Sequence, residues 1–228
     1  VRALVTGASG FVGQYLCREL LEAGWSICGT TFGDVVPTTT LTLDERRQIR
    51  WVSCDLRRSE GVRAALDEAT PDAVFHLAGV SYLPDAQVDP GEALEANVVA
   101  ASRLIGDIRR RRRTGVLDPV VLVVGSGEQY GRHELDEMPL AETAAQLPVS
   151  VYAASKVAQE AVALEAFRSE GVRVIGTRSF NHSGAGQGGR FLLPSLVRRA
   201  LTARNSWQRQ VPIGNVHVTR DLLHVGDV

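Results

Sequence analysis

The sequence predicts an α/β fold, a doubly wound parallel sheet, on three observations. The chain opens on a short apolar run (Val1, Ala3, Leu4, Val5), a glycine-rich turn and an amphipathic segment, Phe11 to Ala23. Short strand-like runs then alternate with longer segments of helical period. The most strand-like run, Pro119 to Gly125 (PVVLVVG), is continuous and β-branched, as a central strand buried on both faces should be.

Composition bounds the rest. The 228 residues allow one large α/β domain, or one domain with part of a second. Hydrophobic content is 44% and charged content 22%, an ordinary soluble profile. A formal net charge of -1 gives no global attraction to nucleic acid or anionic lipid. No apolar run approaches the roughly 20 residues of a membrane span. The first residues run straight into strand pattern with no signal peptide, so a cytoplasmic setting is expected. Cys17, Cys28 and Cys54 are odd in number and form no C-x-x-C, so neither a disulfide framework nor a metal site is expected.

In the first turn, VTGASGFVG, glycines stand at Gly7, Gly10 and Gly13. A tight strand-to-helix turn needs residues without a Cβ, some for φ > 0 and some for close approach of a ligand. The following helix aims its N–H groups and positive dipole end at the turn, where a dinucleotide pyrophosphate can sit.

Ser26 to Thr31 is the second strand. In dinucleotide folds an acid near this point grips the ribose 2′-OH of NAD. Here stand Thr30, Thr31 and Phe32, with neither an acid nor an Arg or Lys. That favours NADP, although Asp34 is close in sequence. Gly33 to Leu43 reads as a Thr-rich surface loop. Ile49 to Cys54 is the third strand, ending in Asp55-Leu56. Asp55 suits either an adenine amino group or a helix cap. Ser59 to Ala69 is helical, and Ala73 to Leu77 is a buried fourth strand whose His76 reads as a core residue. Ala78 and Gly79 are small enough to admit a cofactor.

Asp89-Pro90 starts a long helix through Asn97 to Ile108 that ends in five arginines, Arg109 to Arg113. At a helix C-terminus such cations complement the dipole. Without interleaved aromatics or a second basic patch, the run does not read as a nucleic-acid groove.

The strand Pro119 to Gly125 delivers Ser126, Gly127, Glu128, Gln129, Tyr130 and Gly131 at its carboxyl end, where open sheets keep their chemistry. A polar loop covers Arg132 to Pro148. On the helix Val149 to Arg168, Tyr152 and Lys156 stand i and i+4, on one face. A nearby ammonium should lower the phenol pKa and give an acid/base for an alcohol or ketone. Val172 to Thr177 is a sixth strand, Arg178 to Gln187 a polar loop, and Phe191 to Ala203 an amphipathic helix. The chain stops on a pattern like the start of another helix, which suggests truncation.

Taken together, TGASGFVG, Cys54-Asp55-Leu56, His76-Leu77-Ala78-Gly79, Asn97, Ser126 before Tyr130-Gly131, Tyr152-x-x-x-Lys156 and Arg220-Asp221 with His224-Val225-x-Asp227-Val228 resemble the extended short-chain dehydrogenase/reductase family, in its branch acting on nucleotide-diphosphate sugars. Phe180-Asn181-His182 with Gly184-x-Gly186-Gln187 resembles the GDP-mannose-derived subgroup of 4-keto-6-deoxymannose reductases and 4,6-dehydratases. The chain departs from the family pattern at Gly79, Gly127 and Val151, and in its shorter length.

The resemblance implies a Rossmann-type domain over 1–178 and the start of a small, incomplete substrate domain over 179–228. It implies that Gly7, Gly10, Phe11, Val12 and Gly13 line the pyrophosphate. Thr30, Asp55, Leu56, Leu77 and Ala78 would complete the cofactor site with Tyr152 and Lys156. Ser126 would hold the sugar C4 oxygen, Tyr152 would carry the proton, and Lys156 would bind the nicotinamide ribose. Ser81, Ser126, Glu128, Asn181 and Arg220 would meet the sugar nucleotide, with Glu128 also the carboxylate a dehydratase needs. The implied activity is NADP(H)-dependent reduction of a GDP-bound 4-keto-6-deoxy sugar, with NAD(H) as the other cofactor. The alternatives are a 4,6-dehydratase, a 4-epimerase and a non-catalytic nucleotide-binding subunit. A homodimer through the Asn97 and Tyr152 helices is implied as well.

Overall fold

The structure, a computed structural model, describes residues 1–33, 39–207 and 210–228. Asp34 lies outside the described residues. The chain forms two units, Val1–Ser179 and Phe180–Val228.

The first unit is built on six parallel strands: β1 (Arg2–Thr6), β2 (Ser26–Thr31), β3 (Ile49–Ser53), β4 (Ala73–His76), β5 (Val120–Val124) and β6 (Val174–Thr177). Their order is β3-β2-β1-β4-β5-β6. Strand order reverses between β1 and β4, where Thr6 pairs with His76. Such a reversal opens a crevice beyond the carboxyl ends of the strands, the place where doubly wound sheets bind ligands. Side chains alternate between the two faces of a strand. On β1, Leu4 joins Val62, Leu66, Leu104 and Ile108 in one core. Ala3 and Val5 join Cys17, Leu20 and Ile27 in another. With both faces covered, an uninterrupted apolar run is what β1 requires.

Seven helices of this unit are described: α1 (Phe11–Glu22), α2 (Leu43–Gln48), α3 (Ser59–Ala69), α4 (Leu83–Val88), α5 (Pro90–Leu94), α6 (Ala100–Arg113) and α7 (Val151–Glu170). The sequence pattern does not announce α2 and α4, which have six residues each and are too short to display a helical period. For α2 a different signal was available. Thr42 Oγ1 accepts the Glu45 N–H at 3.2 Å, and Glu45 Oε2 accepts the Thr42 N–H at 2.6 Å, a capping box. The single helix expected from Asp89 is divided into α5, a π turn over Glu95–Val99 and α6. It starts where the sequence predicts: Asp89 Oδ1 accepts the Glu92 N–H at 2.9 Å, and Pro90 takes the first helical position.

The five arginines close α6, and each has a carboxylate. Arg109 meets Glu165 and Glu170, Arg110 meets Asp107, and Arg111 meets Asp107 and Asp67. Arg112 meets Asp118, and Arg113 meets Glu170. The run thus ties α6 to α3, to α7 and to the residues that lead into β5.

The second unit holds β7 (Asn181–Ser183), α8 (Leu192–Asn205) and β8 (Leu222–His224). Asn181 pairs with Leu222 in a parallel two-stranded sheet. The sequence predicts only a loop at β7, because three residues carry no periodicity and the partner strand lies far along the chain. Among the described residues no helix is long and apolar enough to cross a membrane.

Candidate functional site

β1 runs directly into the glycine turn. Gly7 has φ +68°, and a Cβ there would come within 3.0 Å of Ala78 Cα and N. At Gly13 a Cβ would lie 2.4 Å from Gly7 O and 2.8 Å from Ala8 Cα, so the start of α1 packs onto the turn itself. Gly10 precedes α1, and no side chain caps it. A glycine-rich turn under an uncapped helix start fits the pyrophosphate of a dinucleotide. Phe11 and Val12 open the helix, half-buried. Thr30 Oγ1 accepts the Gly7 N–H at 3.2 Å, and Thr30 O accepts the Ala8 N–H at 3.1 Å. Thr30 is buried, so it braces the turn from β2.

Past β3, Asp55 and Leu56 face different surroundings. Leu56 is buried in the core with Leu66 and Leu104. Asp55 is held by Arg57: Oδ1 accepts the Arg57 N–H and Nε–H at 2.9 Å each, and Oδ2 accepts from Nη2 at 3.1 Å. The hydrogen-bonded guanidinium keeps the Asp55 carboxyl below the usual carboxylate range. Arg57 also pairs with Glu92, and it lies 4.9 Å over the ring of Phe32 at the end of β2. The residues at the end of β2 supply no cation, but the fold brings one from the loop after β3.

At the end of β4, His76 Nδ1 lies 2.9 Å from Thr6 Oγ1. Burial, then the Lys156 charge, pulls its pKa down to about 3. Its Nε2 is buried without a hydrogen bond among the described residues. Leu77 and Ala78 follow, half-buried, and Ser81 is exposed. Gly79 is required by Asn97, since a Cβ would lie 2.3 Å from Asn97 Oδ1. From the π turn, Asn97 accepts the Val80 N–H at 2.8 Å and donates to Ser155 Oγ at 2.8 Å.

β5 delivers Ser126, whose Oγ accepts the Glu128 N–H at 3.2 Å. Glu128 is half-buried beside it. Tyr152 and Lys156 are both buried, one turn apart on α7. Lys156 Nζ donates to Val124 O at 2.9 Å and to Gln159 Oε1 at 2.8 Å, and burial lowers its pKa to about 8. The phenol corrects the sequence expectation. Burial raises the Tyr152 pKa, the Ser126 hydroxyl pulls it back, and the Glu128 charge raises it further. The Lys156 ammonium is turned toward β5 and Gln159, and a buried phenolate has lost its water.

Gln129 is the polar residue the motif spacing passes over. It is fully buried. Its Oε1 accepts the Ser126 N–H at 2.7 Å, and its Nε2 donates to Glu160 Oε2 at 2.6 Å. Ser126-x-x-Gln129 is itself a capping-box signature, which is the signal that could have found it. Ser126, Glu128, Tyr152 and Lys156 thus come together in the first unit. In the second, Asn181 and Arg220 are exposed, and Arg220 Nη1 donates to Thr219 O at 2.9 Å. Among the described residues no three His, Cys, Asp or Glu side chains gather to hold a metal ion.

Residues 3–228 match the NAD dependent epimerase/dehydratase family. The chain is similar to GDP-6-deoxy-D-mannose reductase of Pseudomonas aeruginosa, with 32% identity over 228 residues, which is 100% of this chain and 67% of the relative. Among solved structures it is similar to RMD from Pseudomonas aeruginosa complexed with NADPH. The TM-score is 0.79 at 30% identity, covering 100% of this chain and 71% of that one. It is also similar to the UDP-glucose 4-epimerase of Thermus thermophilus in complex with NAD, with a TM-score of 0.82, 26% identity and coverage of 100% and 71%.

Proposed function

The chain belongs to the NAD dependent epimerase/dehydratase family, and from that premise we propose that it reduces the C4 ketone of a nucleotide-diphosphate 4-keto-6-deoxy sugar, GDP-4-keto-6-deoxymannose, using NADPH. The observation that carries the proposal is the buried set Ser126, Tyr152 and Lys156, together with the glycine turn after β1, in a chain 32% identical to a GDP-6-deoxy-D-mannose reductase. An intact set of this kind also speaks against a non-catalytic nucleotide-binding subunit.

Gly7, Gly10, Phe11, Val12 and Gly13 would hold the dinucleotide pyrophosphate. Thr30 would act from behind the turn, and Leu77 and Ala78 would line the crevice. Asp55 would face the adenine with Leu56 beneath it. Bound nicotinamide supplies the hydride. Ser126 holds the ketone oxygen, and Tyr152 gives it a proton. A raised phenol pKa suits this direction, because the donor stays protonated at neutral pH. Lys156 binds the nicotinamide ribose. NADP is favoured over NAD because the described end of β2 carries no carboxylate and has the Arg57 guanidinium over Phe32. Residues 179–228 would begin the substrate domain, with Asn181 and Arg220 meeting the sugar nucleotide, Arg220 at a phosphate, and Ser81 adding a contact from the first unit. A homodimer through the Asn97 and Tyr152 helices, working in the cytoplasm, completes the proposal.

A 4,6-dehydratase is the second reading, favoured by Glu128 next to Ser126. The full-length protein is given GDP-mannose or its 4-keto-6-deoxy derivative while NADPH absorbance and sugar products are followed. NADPH consumed with the ketone is the expected result. Ketone made from GDP-mannose without net cofactor turnover would identify the dehydratase, and no change with either sugar would overturn both.

A further inference from the structure

Behind Ser126 lies a polar network that the proposed chemistry does not use. Gln129 sits between two groups that fix its amide. The Ser126 N–H can only donate, so it takes Oε1, at 2.7 Å. An ionised Glu160 can only accept, so it takes Nε2, at 2.6 Å. Glu160 is held by Arg178 through two parallel bonds, Nη2 to Oε1 at 2.6 Å and Nε to Oε2 at 2.9 Å. Gln146 Nε2 adds a donor to Glu160 Oε1 at 3.3 Å, and the Arg178 guanidinium lies 5.0 Å from the Tyr130 ring centroid. Gln129 is fully buried, and Glu160 is 7% exposed. The amide also occupies the space above Gly125, where a Cβ would come within 2.2 Å of Oε1.

The placement of Glu160 gives the network its reach. Tyr152, Lys156 and Glu160 stand four residues apart on α7, one buried stripe on one helix face. Gln129 therefore joins the backbone of Ser126, on the strand-end loop, to the helix that carries Tyr152. We infer that Gln129, oriented by the Glu160–Arg178 pair, is a positioning residue that holds Ser126 in register with Tyr152. The inference rests on the reading of Ser126 and Tyr152 as the groups that handle the substrate oxygen.

The test exchanges the polarity of the link. Gln129→Leu removes the acceptor for the Ser126 N–H. Gln129→Glu sets a second carboxylate against Glu160. The double variant Gln129→Glu/Glu160→Gln restores one carboxylate and one amide between Ser126 and Arg178. Each protein is assayed with NADPH and GDP-4-keto-6-deoxymannose, alongside Ser126→Ala and Tyr152→Phe. Both single variants should lower kcat about tenfold or more while leaving the NADPH dissociation constant within about threefold, and the double variant should return kcat to within about threefold of wild type. Amide exchange at Ser126, read on the same proteins, should speed up in Gln129→Leu and slow again in the double variant, whichever sugar is the substrate. An unchanged kcat and unchanged exchange in Gln129→Leu would overturn the inference, as would a double variant no better than the singles. Full activity in Ser126→Ala and Tyr152→Phe would instead sink the reading on which it rests.

Discussion

Thr6 Oγ1 lies 2.9 Å from His76 Nδ1 and accepts the backbone N–H groups of Leu77 and Ala78 at 3.1 Å each. Two accepted bonds use both lone pairs of a hydroxyl, so its own proton goes to His76. Nδ1 is then an acceptor, and the histidine proton sits on Nε2. One hydroxyl at the end of β1 thereby fixes the tautomer of His76 and the position of the strand end over which the cofactor would lie.

Replacing that oxygen should be costly in a specific way. Thr6→Val keeps the shape and leaves the Leu77 and Ala78 N–H groups without an acceptor, so unfolding free energy should fall by about 2–3 kcal/mol. Thr6→Ser keeps every bond and should stay within about 1 kcal/mol of wild type. Urea titration measures both, and equal losses in the two variants would mean that the hydroxyl is not the cause.

His76 should make the fold sensitive to acid. Burial takes its pKa to about 3 in the folded chain, against about 6.5 unfolded. Between those values the unfolded chain binds a proton that the folded chain does not. Stability therefore rises with pH through that window, and the His76 contribution is complete above about pH 6.5. Lowered carboxyls such as Glu160 and Asp72 add the same sign. The discriminating quantity is thus a difference. His76→Gln should flatten the slope of unfolding free energy between about pH 4 and about pH 6, and an unchanged slope would remove His76 from the account.

Lys156 should set an alkaline limit on activity. Its pKa, lowered to about 8 by burial, means the free enzyme loses this cation as pH rises through that value. The Tyr152 phenol is shifted upward and keeps its proton there. For reduction of the proposed ketone, kcat/KM should fall above about pH 8. Lys156→Arg stays charged, so whatever activity it retains should hold flat to about pH 9. The same alkaline limb in both proteins would assign it to another group.

Gly13 tests the cradle. Its Cβ would collide with backbone, Gly7 O and Ala8 Cα, and backbone cannot rotate aside as a side chain can. Gly13→Ala should cost about 1–3 kcal/mol of stability and weaken NADPH binding at least about tenfold, read by fluorescence titration. Wild-type affinity in the variant would count against the pyrophosphate assignment.

Much of this was legible in the residues because the information is local. Gly7, Gly10 and Gly13 announce a turn without a Cβ, and Asp89-Pro90 announces a helix start. The run at 119–125 announces a strand, but not its burial on both faces: Val121 and Val123 are buried, while Val120, Leu122 and Val124 on the other face are only half-buried. Tyr152 and Lys156 share a face because helical spacing alone requires it. Short elements such as α4 and β7 escaped, since so few residues cannot carry a period.

Chain order and spacing by themselves determined the alternation of strands and helices, the glycine turn, and the identity of the polar residues at the end of β5. Only the tertiary structure decided what those residues experience. His76 owes its tautomer to a threonine far back in sequence, and Gln129 owes its orientation to Glu160. The arginine run meets carboxylates from α3, α7 and the approach to β5. The phenol of Tyr152 rises rather than falls because desolvation belongs to the packed molecule, and no spacing of residues records how much water a side chain will lose.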